Sequence, residues 1–286
     1  MRTVPKAKEM PLKNKKRLRI GIVGCGAIGS SLARSIVKEF PAQAKLTSLF
    51  DIDSQKASRL AKTLGYRVCL SKTLERLIIN ADLVIEAASA ASALKIARES
   101  ITRSRDIMIM SVGGIIGDYK KLTRQAKTMH VRVFIPSGAI CGIDGLKAAV
   151  CGKIESVTLT TRKHPKAFSG VPYLLKKKVR LDKIKKEKVL FMGNAISAVK
   201  AFPQNINVAA ILSIAGIGPQ KTIVRIVASP DLTQNTHEIE IRSNAGRIIS
   251  RTENVVHPDN PKTSYLAVLS AVATLKQILA PLKIGN

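Results

Sequence analysis

The sequence is short of aromatic and acidic residues. Aromatic side chains make up 3% of its 286 residues, and tryptophan is absent. Proteins that bind single-stranded nucleic acid use aromatic side chains as stacking platforms, so this composition argues against that class. Acidic residues number 19 against 48 lysines and arginines, which gives a formal net charge of +29. We interpret the excess as a positive surface that attracts anionic small molecules, and we expect no nucleic-acid partner.

Cysteine is scarce, and its spacing forms no metal-binding or disulfide pattern. The four cysteines include no C-x-x-C pair, so we expect neither a zinc site nor a disulfide framework. Unpaired thiols indicate a reducing compartment, and a cytoplasmic protein is the prediction. No apolar run reaches the roughly 18 residues that span a membrane. Residues 1–17 are basic and lack the apolar segment of a secretory signal, so we interpret them as a solvated tail.

Residues 18–141 alternate between short apolar runs and stretches with helical periodicity. Apolar runs of this kind are typical of strands buried in a parallel sheet. The alternation therefore predicts an α/β domain of the Rossmann type, a doubly wound parallel sheet with helices on both faces. The predicted strands are 18–23, 45–50, 67–70, 83–87, 106–112 and 131–135, and the predicted helices are 30–39, 54–64, 74–79 and 92–99.

Residues 142–263 have a different pattern, which predicts a second domain of the α+β class. A lysine-dense stretch at 162–188 contains Gly170 and Pro172, which break any long helix. The C-terminal segment 264–286, helical to about Leu282, is expected to pack back on the first domain. The other predicted elements are strands 156–162, 222–228, 238–242 and 247–252 and a helix at 207–215.

A glycine-rich loop follows the first predicted strand. Gly24, Gly26 and Gly29 form the pattern G-x-G-x-x-G at the start of a helix. In a dinucleotide site the first glycine allows a tight turn, the second lets the pyrophosphate approach the backbone, and the third lets helix and strand pack closely. We expect the phosphates to bind at the helix start, beside Ala27 and Ile28.

The acid at the end of the second strand affects the choice of dinucleotide. Asp51 is expected to accept hydrogen bonds from the adenosine ribose and to repel a 2′-phosphate, so NAD is the predicted cofactor. The positive charge of the protein leaves NADP as the alternative. Asp53 is the other candidate for the ribose, but its place two residues past the strand favours a helix N-cap.

Beyond the glycine loop, seven segments form a distinctive set: 111–114, 136–142, 161–165, 202–210, 224–230, 237–241 and 260–264. In combination they resemble the L-aspartate dehydrogenase family, and the resemblance covers nearly everything after residue 17. It implies an NAD(P)-dependent enzyme that oxidises L-aspartate to iminosuccinate, which hydrolyses to oxaloacetate and ammonia or feeds quinolinate and NAD synthesis. It also implies a Rossmann domain, an α+β domain that carries the substrate site, and a homodimer.

The same resemblance assigns roles to individual residues. The family's catalytic histidine falls on His237, and its contacts near the nicotinamide fall on Ala139 and Asn207. Ala88, directly after the fourth predicted strand, is a further predicted cofactor contact. The chain departs from the family pattern at Met192, where the family often has an acid.

Histidine chemistry suits the implied reaction. Hydride leaves Cα most easily when the amine is neutral, and an imidazole can take the amine's proton and later activate water. His237 shares the inward face of an alternating strand with Ile239 and Ile241, a setting that alone also fits a core histidine. His257 is the alternative base, and His130 is interpreted as structural.

Selective binding of a dicarboxylate requires cations or hydrogen-bond donors at a fixed separation. The candidates are Lys163, His164, Thr263 and Ser264. The first two lie in a basic run that also fits a solvated face, and the hydroxyls of the other two alternatively cap the last helix. No metal-ligand spacing is present, so no metal is expected.

Two other functions are consistent with this sequence. One is a related NAD(P)-dependent amino-acid dehydrogenase or imine reductase that acts on a different substrate. The other is a nucleotide-binding sensor without turnover, which would use the basic tail and the lysine-dense stretch for contacts.

Overall fold

The computed structural model describes residues 16–65, 67–202, 206–258 and 260–285. The predicted tail therefore lies almost entirely outside the described residues, as do Pro203, Gln204 and Asn205 of the segment 202–210. The side chains of Ile206, Pro261 and Lys262 are likewise not described.

The first domain is built on a six-stranded parallel sheet with the strand order β3-β2-β1-β4-β5-β6, which confirms the predicted α/β class. Its strands are Leu18–Val23 (β1), Ala44–Phe50 (β2), Cys69–Leu70 (β3), Leu83–Glu86 (β4), Asp106–Ile109 (β5) and Val133–Phe134 (β6). Its helices are Ala27–Glu39 (α1), Ser54–Thr63 (α2), Leu74–Ile79 (α3), Ala90–Thr102 (α4) and Tyr119–Thr128 (α5).

Alternating side chains of the central strands supply two separate cores, one on each face of this sheet. Ile20 and Ile22 of β1 pack with Leu32 and Ile36 of α1 on one face, whereas Val23 belongs to the core on the other face. Successive side chains of a strand point to opposite faces, and helices cover both of them. Continuous apolar runs therefore identified these strands correctly.

The predicted strand 106–112 is too long. Strand β5 ends at Ile109, and Val112–Ile115 form a 3₁₀ turn instead. A Cβ on Gly114 would collide with the carbonyl of Ala90, so the turn packs directly against the start of α4. Helix α5 was not predicted, because it is polar and buries little besides Leu122 and Ala126.

The second domain contains a five-stranded mixed sheet with the order β11-β10-β7-β9-β8. Strand β7 is central, antiparallel to β10 and parallel to β9. The strands of this domain are Ile154–Lys163 (β7), Lys188–Asn194 (β8), Ile223–Ala228 (β9), Asn235–Ser243 (β10) and Gly246–Asn254 (β11), followed by the small pair Val256–His257 (β12) and Asn260–Ser264 (β13). The helices are Ile143–Val150 (α6), Pro172–Lys176 (α7), Ala195–Ala201 (α8), Ile206–Ala215 (α9) and Tyr265–Leu279 (α10).

The sequence did not predict β8 or the helix α8 that follows it. Strand β8 lies at the edge of its sheet and exposes Val189 and Met192 to solvent, so its pattern does not read as a buried strand. A cluster of four aromatic rings, Phe168, Tyr173, Phe191 and Phe202, anchors the lysine-dense stretch to this strand.

The C-terminal helix α10 returns to the first domain. Its residues Ala271 and Leu275 are buried in the same core as Leu32 and Ile36 of α1. The start of this helix is thereby fixed close to the carboxyl edge of the parallel sheet. Among the described residues, no helix has the length and apolar character that crossing a lipid bilayer would require.

Candidate functional site

The three glycines of the loop after β1 occupy three different environments. Gly24 has a φ of +97°, and a Cβ there would collide with the carbonyl of Ala87. A Cβ on Gly29 would collide with the carbonyl of Gly24, because α1 crosses the strand closely. At Gly26, by contrast, a Cβ would meet no described atom within 4 Å. The space above Gly26 is where a pyrophosphate approaches in a dinucleotide site, so the loop fits this group.

Helix α1 begins at Ala27, directly after Gly26. Among the described residues no side chain caps this end of the helix, and its first turn contains no acid. The first amide groups of a helix lack partners within the helix and carry partial positive charge. The beginning of α1, at Ala27 and Ile28, therefore suits the phosphates of a dinucleotide.

Asp51 lies beside this loop, as the sequence predicted, and it also has a structural role. Its Oδ2 accepts a hydrogen bond of 2.7 Å from the amide of Cys25, and its Oδ1 accepts one of 2.9 Å from the amide of Asp53. The carboxylate thus holds the glycine loop against the end of β2. Asp53 caps α2 through the amide of Gln55, which confirms the N-cap prediction.

A cavity of about 260 Å³ lies between the two domains, below the glycine loop. Both domains and the start of α10 contribute to its wall, so it forms only when the domains are packed together. Seven of the residues predicted from the sequence line it: Ile28, Ala139, Lys163, Asn207, His237, Thr263 and Ser264.

His237 is a buried member of this wall. It lies on β10 directly opposite Thr161 of β7, and its Nδ1 is 3.0 Å from the Thr161 hydroxyl. Burial, reinforced by the charge of Lys163, lowers the pKa of His237 to about 3. The imidazole is therefore neutral at physiological pH, and Nε2 is the ring nitrogen left to exchange a proton.

Lys163 is a largely buried cation in the same cavity. It lies two residues beyond Thr161 on β7, which places both residues on the same face of the sheet. Burial lowers its pKa. No carboxylate of the described chain lies within ion-pair distance of its amine. A buried charge without a counterion is costly, and the arrangement is that of a site for an anionic ligand.

The remaining predicted polar residues occupy different positions. The Ser264 hydroxyl does not cap α10 but donates a 2.8 Å hydrogen bond to Oδ1 of Asn254. Thr263 Oγ1 accepts a hydrogen bond from the side chain of Asn260. Asn207 Oδ1 accepts the amide of Gly113, which ties α9 to the first domain.

Several other residues named in the sequence analysis lie outside the cavity wall. The Nδ1 of His164 accepts the amide of Lys166 and so starts a 3₁₀ turn. The alternative base, His257, lies against α1, where its Nε2 is 3.3 Å from the Ser31 hydroxyl. Ala88 is connected to the site only through Glu86, because its amide donates a hydrogen bond to the Glu86 side chain. Met192 is exposed on β8, outside this wall.

Glu86 is a site residue that the sequence analysis missed. It ends β4, is fully buried, and accepts the amides of Ala88 and Ser111 at 2.9 Å each. Burial raises the pKa of its carboxyl, and these hydrogen bonds oppose that shift. Glu86 thus joins the two loops that follow β4 and β5. An acid at the carboxyl end of a central parallel strand is the signal that could have identified it.

Comparisons with known proteins agree with this geometry. Residues 24–136 match the family profile described as homoserine dehydrogenase, NAD binding domain, and residues 144–278 match the one described as aspartate dehydrogenase, C-terminal. With the sheet order and the loop at α1, these matches define an oxidoreductase that depends on a nicotinamide dinucleotide.

Relatives match over nearly the full length. L-aspartate dehydrogenase of Methanosarcina barkeri is 44% identical over 271 residues, which cover 94% of this chain and 100% of the relative. L-aspartate dehydrogenase of Nitrosopumilus maritimus is 40% identical over 263 residues, 91% of this chain and 96% of the relative. The chain belongs to the L-aspartate dehydrogenase family. The crystal structure of aspartate dehydrogenase from Thermotoga maritima shares its fold, with a TM-score of 0.74 at 24% identity, covering 94% of this chain and 100% of that one.

The glycine loop allows a matched pair of substitutions. Gly26→Ala adds a methyl group to open space, so the thermal midpoint should stay unchanged while NADH binds about tenfold or more weakly. Gly29→Ala drives a Cβ into the backbone of Gly24 and should lower the midpoint. Thermal melts and NADH fluorescence titrations measure both quantities. Unchanged NADH affinity in Gly26→Ala would contradict the placement of the phosphates.

Burial of His237 makes the stability of the fold depend on pH. The imidazole of the unfolded chain takes up a proton near pH 6.5, whereas in the folded protein it stays neutral down to about pH 3. The free energy of unfolding should therefore fall as the pH is lowered through this interval, by up to about 1.4 kcal/mol per pH unit. Denaturant titrations at several pH values give the free energy of unfolding as a function of pH. This dependence on pH should be shallower for His237→Gln than for the wild type. Equal slopes in the two proteins would refute the assigned environment.

Proposed function

We propose that this chain oxidises L-aspartate at Cα to iminosuccinate, which hydrolyses to oxaloacetate and ammonia. The observation that carries the proposal is the pairing of a neutral imidazole, His237, with a largely buried cation, Lys163, in one cavity beside the dinucleotide loop. L-aspartate supplies a proton for the first group and a carboxylate for the second. The relatives named above support this choice of substrate.

His237 is the proposed base. Oxidation of the Cα–N bond removes a hydride from Cα and a proton from nitrogen, and the neutral Nε2 accepts the proton from the amine. The Thr161 hydroxyl holds Nδ1 and fixes the plane of the ring. In the second half of the reaction, water adds to the imine carbon and ammonia leaves. The imidazolium first returns its proton to the imine nitrogen, and the neutral imidazole then takes a proton from the attacking water and delivers it to the departing nitrogen.

Lys163 is the proposed partner of a substrate carboxylate, and the hydroxyls of Thr263 and Ser264 are proposed donors to the other one. Burial is the main cause of the low pKa of His237, and the charge of Lys163 adds to it. When a carboxylate neutralises that charge, the pKa of the imidazole rises and His237 becomes a stronger base. The substrate thus helps to activate the group that deprotonates it.

The cofactor would be held by the glycine loop, by Asp51 at the ribose, and by Ala88, Ala139 and Asn207 near the nicotinamide. When bound, the nicotinamide supplies the acceptor for the hydride. The chain's own contribution is to hold that ring and the substrate next to each other beside His237 and to exclude bulk water.

The finer features of the biology are also proposals. The exposed side chain of Ile249 on the edge strand β11 supports a homodimer in which the second domain provides the contact. All four cysteines are unpaired, which supports a cytoplasmic location. Iminosuccinate released before hydrolysis would be available for quinolinate and NAD synthesis.

The activity is tested by mixing the purified protein with L-aspartate and NAD or NADP and following absorbance at the reduced nicotinamide band. Turnover is expected, and Lys163→Met should raise KM for L-aspartate by roughly 10- to 100-fold, because a charge-assisted hydrogen bond is lost. Lys166→Met, an exposed neighbour, serves as the matched control and should match wild type.

Absence of L-aspartate oxidation with both cofactors, across neutral to alkaline pH, would refute the activity. Turnover with other amino acids, or only in the reducing direction on an imine, would favour a different substrate on the same scaffold. Pyridine-nucleotide binding without turnover of any substrate would favour the alternative function, a nucleotide-binding sensor.

The cofactor preference is a separate prediction. Asp51 favours NAD, whereas Lys56 and Arg59 of α2 line the neighbouring groove and favour acceptance of a 2′-phosphate. We expect higher kcat/KM for NAD.

Asp51→Asn, which keeps an acceptor for Cys25 but removes the charge, should shift the ratio of kcat/KM for NAD to that for NADP toward NADP by about tenfold. Arg59→Ala should lower kcat/KM for NADP alone. A ratio unaffected by Asp51→Asn would contradict this role.

A further inference from the structure

Asn254 is a buried polar residue of the cavity wall to which neither the sequence nor the reaction has assigned a role. It is the last residue of β11, and 4% of its surface is exposed. It lies where the substrate-domain sheet, the turn after β6 and the start of α10 meet. Its position alone makes it a junction between the two domains.

Both ends of the Asn254 amide are engaged. Its Nδ2 donates to the carbonyl of Ala139 at 3.1 Å and to the hydroxyl of Thr252 at 3.4 Å. Its Oδ1 accepts the Ser264 hydroxyl at 2.8 Å. The side chain therefore uses a donor toward the first domain and an acceptor toward α10, which few other side chains of its size provide.

Thr252 reinforces the same connection. Its hydroxyl is 3.1 Å from the carbonyl of Ala139 and 3.4 Å from the carbonyl of His237. Two side chains of β11 thus converge on a single carbonyl of the first domain, and one of them also reaches the backbone of the proposed base. This carbonyl belongs to a turn in which Gly138 has a φ of +69°. The amide of Gly138 donates a hydrogen bond to the Ser270 hydroxyl.

These contacts fix the orientation of the peptide at Ala139. A carbonyl bound on one side by two donors cannot rotate without leaving buried polar groups unpaired, which is costly. The remaining surface of Ala139 faces the cavity. The contacts thereby hold the turn that would lie against the nicotinamide end of the proposed dinucleotide site.

We infer that Asn254, with Thr252, is a positioning residue that holds the Ala139 turn in place for the nicotinamide ring and keeps it in register with Ser264 and His237. The inference rests on the proposed function for the location of the nicotinamide. A positioning role differs from a purely structural one in a measurable way. It acts on the nicotinamide half of the cofactor and leaves the binding of the ADP-ribose half unchanged.

The experiment compares the affinities of NADH and ADP-ribose, which lacks the nicotinamide, by isothermal titration calorimetry of the full-length protein. Asn254→Asp keeps the acceptor for Ser264 and places a carboxylate against the Ala139 carbonyl, and Thr252→Val removes the other donor at nearly constant volume. Each should weaken NADH by about tenfold and change ADP-ribose by less than about twofold. Asn244→Ala is the matched control, because this turn asparagine does not line the cavity and its side chain accepts the amide of Lys153.

Equal losses for both ligands would show a general structural role and overturn the inference, as would full retention of NADH affinity in both variants. Because ADP-ribose binding reports on folding, a variant that fails to fold is recognised, and Thr252→Val then decides the outcome. The readout involves no amino-acid substrate. Failure of the protein to oxidise L-aspartate would refute the proposed function but would leave this binding test intact.

Discussion

The structure depends on a positive charge and an imidazole that share one cavity between two domains. Lys163 has no carboxylate partner among the described residues, and its charge helps to keep His237 neutral. A buried charge without a carboxylate partner is costly, and binding of an anion would offset that cost. In the proposed mechanism, recognition of a carboxylate and control of the base are therefore one electrostatic effect.

Each domain supplies what the other lacks. The parallel sheet provides open space at Gly26 and an uncapped helix terminus at α1, which together suit the phosphates of a dinucleotide. The mixed sheet provides the polar residues at the reacting end, carried on the central pair β7 and β10. Glu86 joins the loops after β4 and β5 within the first domain, and Asn254 crosses the boundary to bind the carbonyl of Ala139.

The candidate site was only partly predictable from local pattern. His237 was predicted from the family resemblance and Lys163 as a cation for a substrate carboxylate, but His164 was equally eligible by residue type. The structure separates the neighbours, since alternation along β7 brings Lys163 to the cavity while His164 starts the next turn. Glu86 and Asn254 were missed because their importance lies in backbone groups distant in sequence, such as those of Ser111 and Ala139.

Local signals in the chain are enough to predict the parallel sheet and the dinucleotide loop: apolar runs, glycine spacing and the acid at Asp51. The strand order of the second sheet, the place of the edge strand β8, and the cavity in which β7, β10, β11 and α10 meet depend on packing between distant segments. Burial is the physical reason. The pKa of His237 and the cost of an unpaired Lys163 arise from exclusion of water, and no short stretch of sequence encodes which distant segments will exclude it.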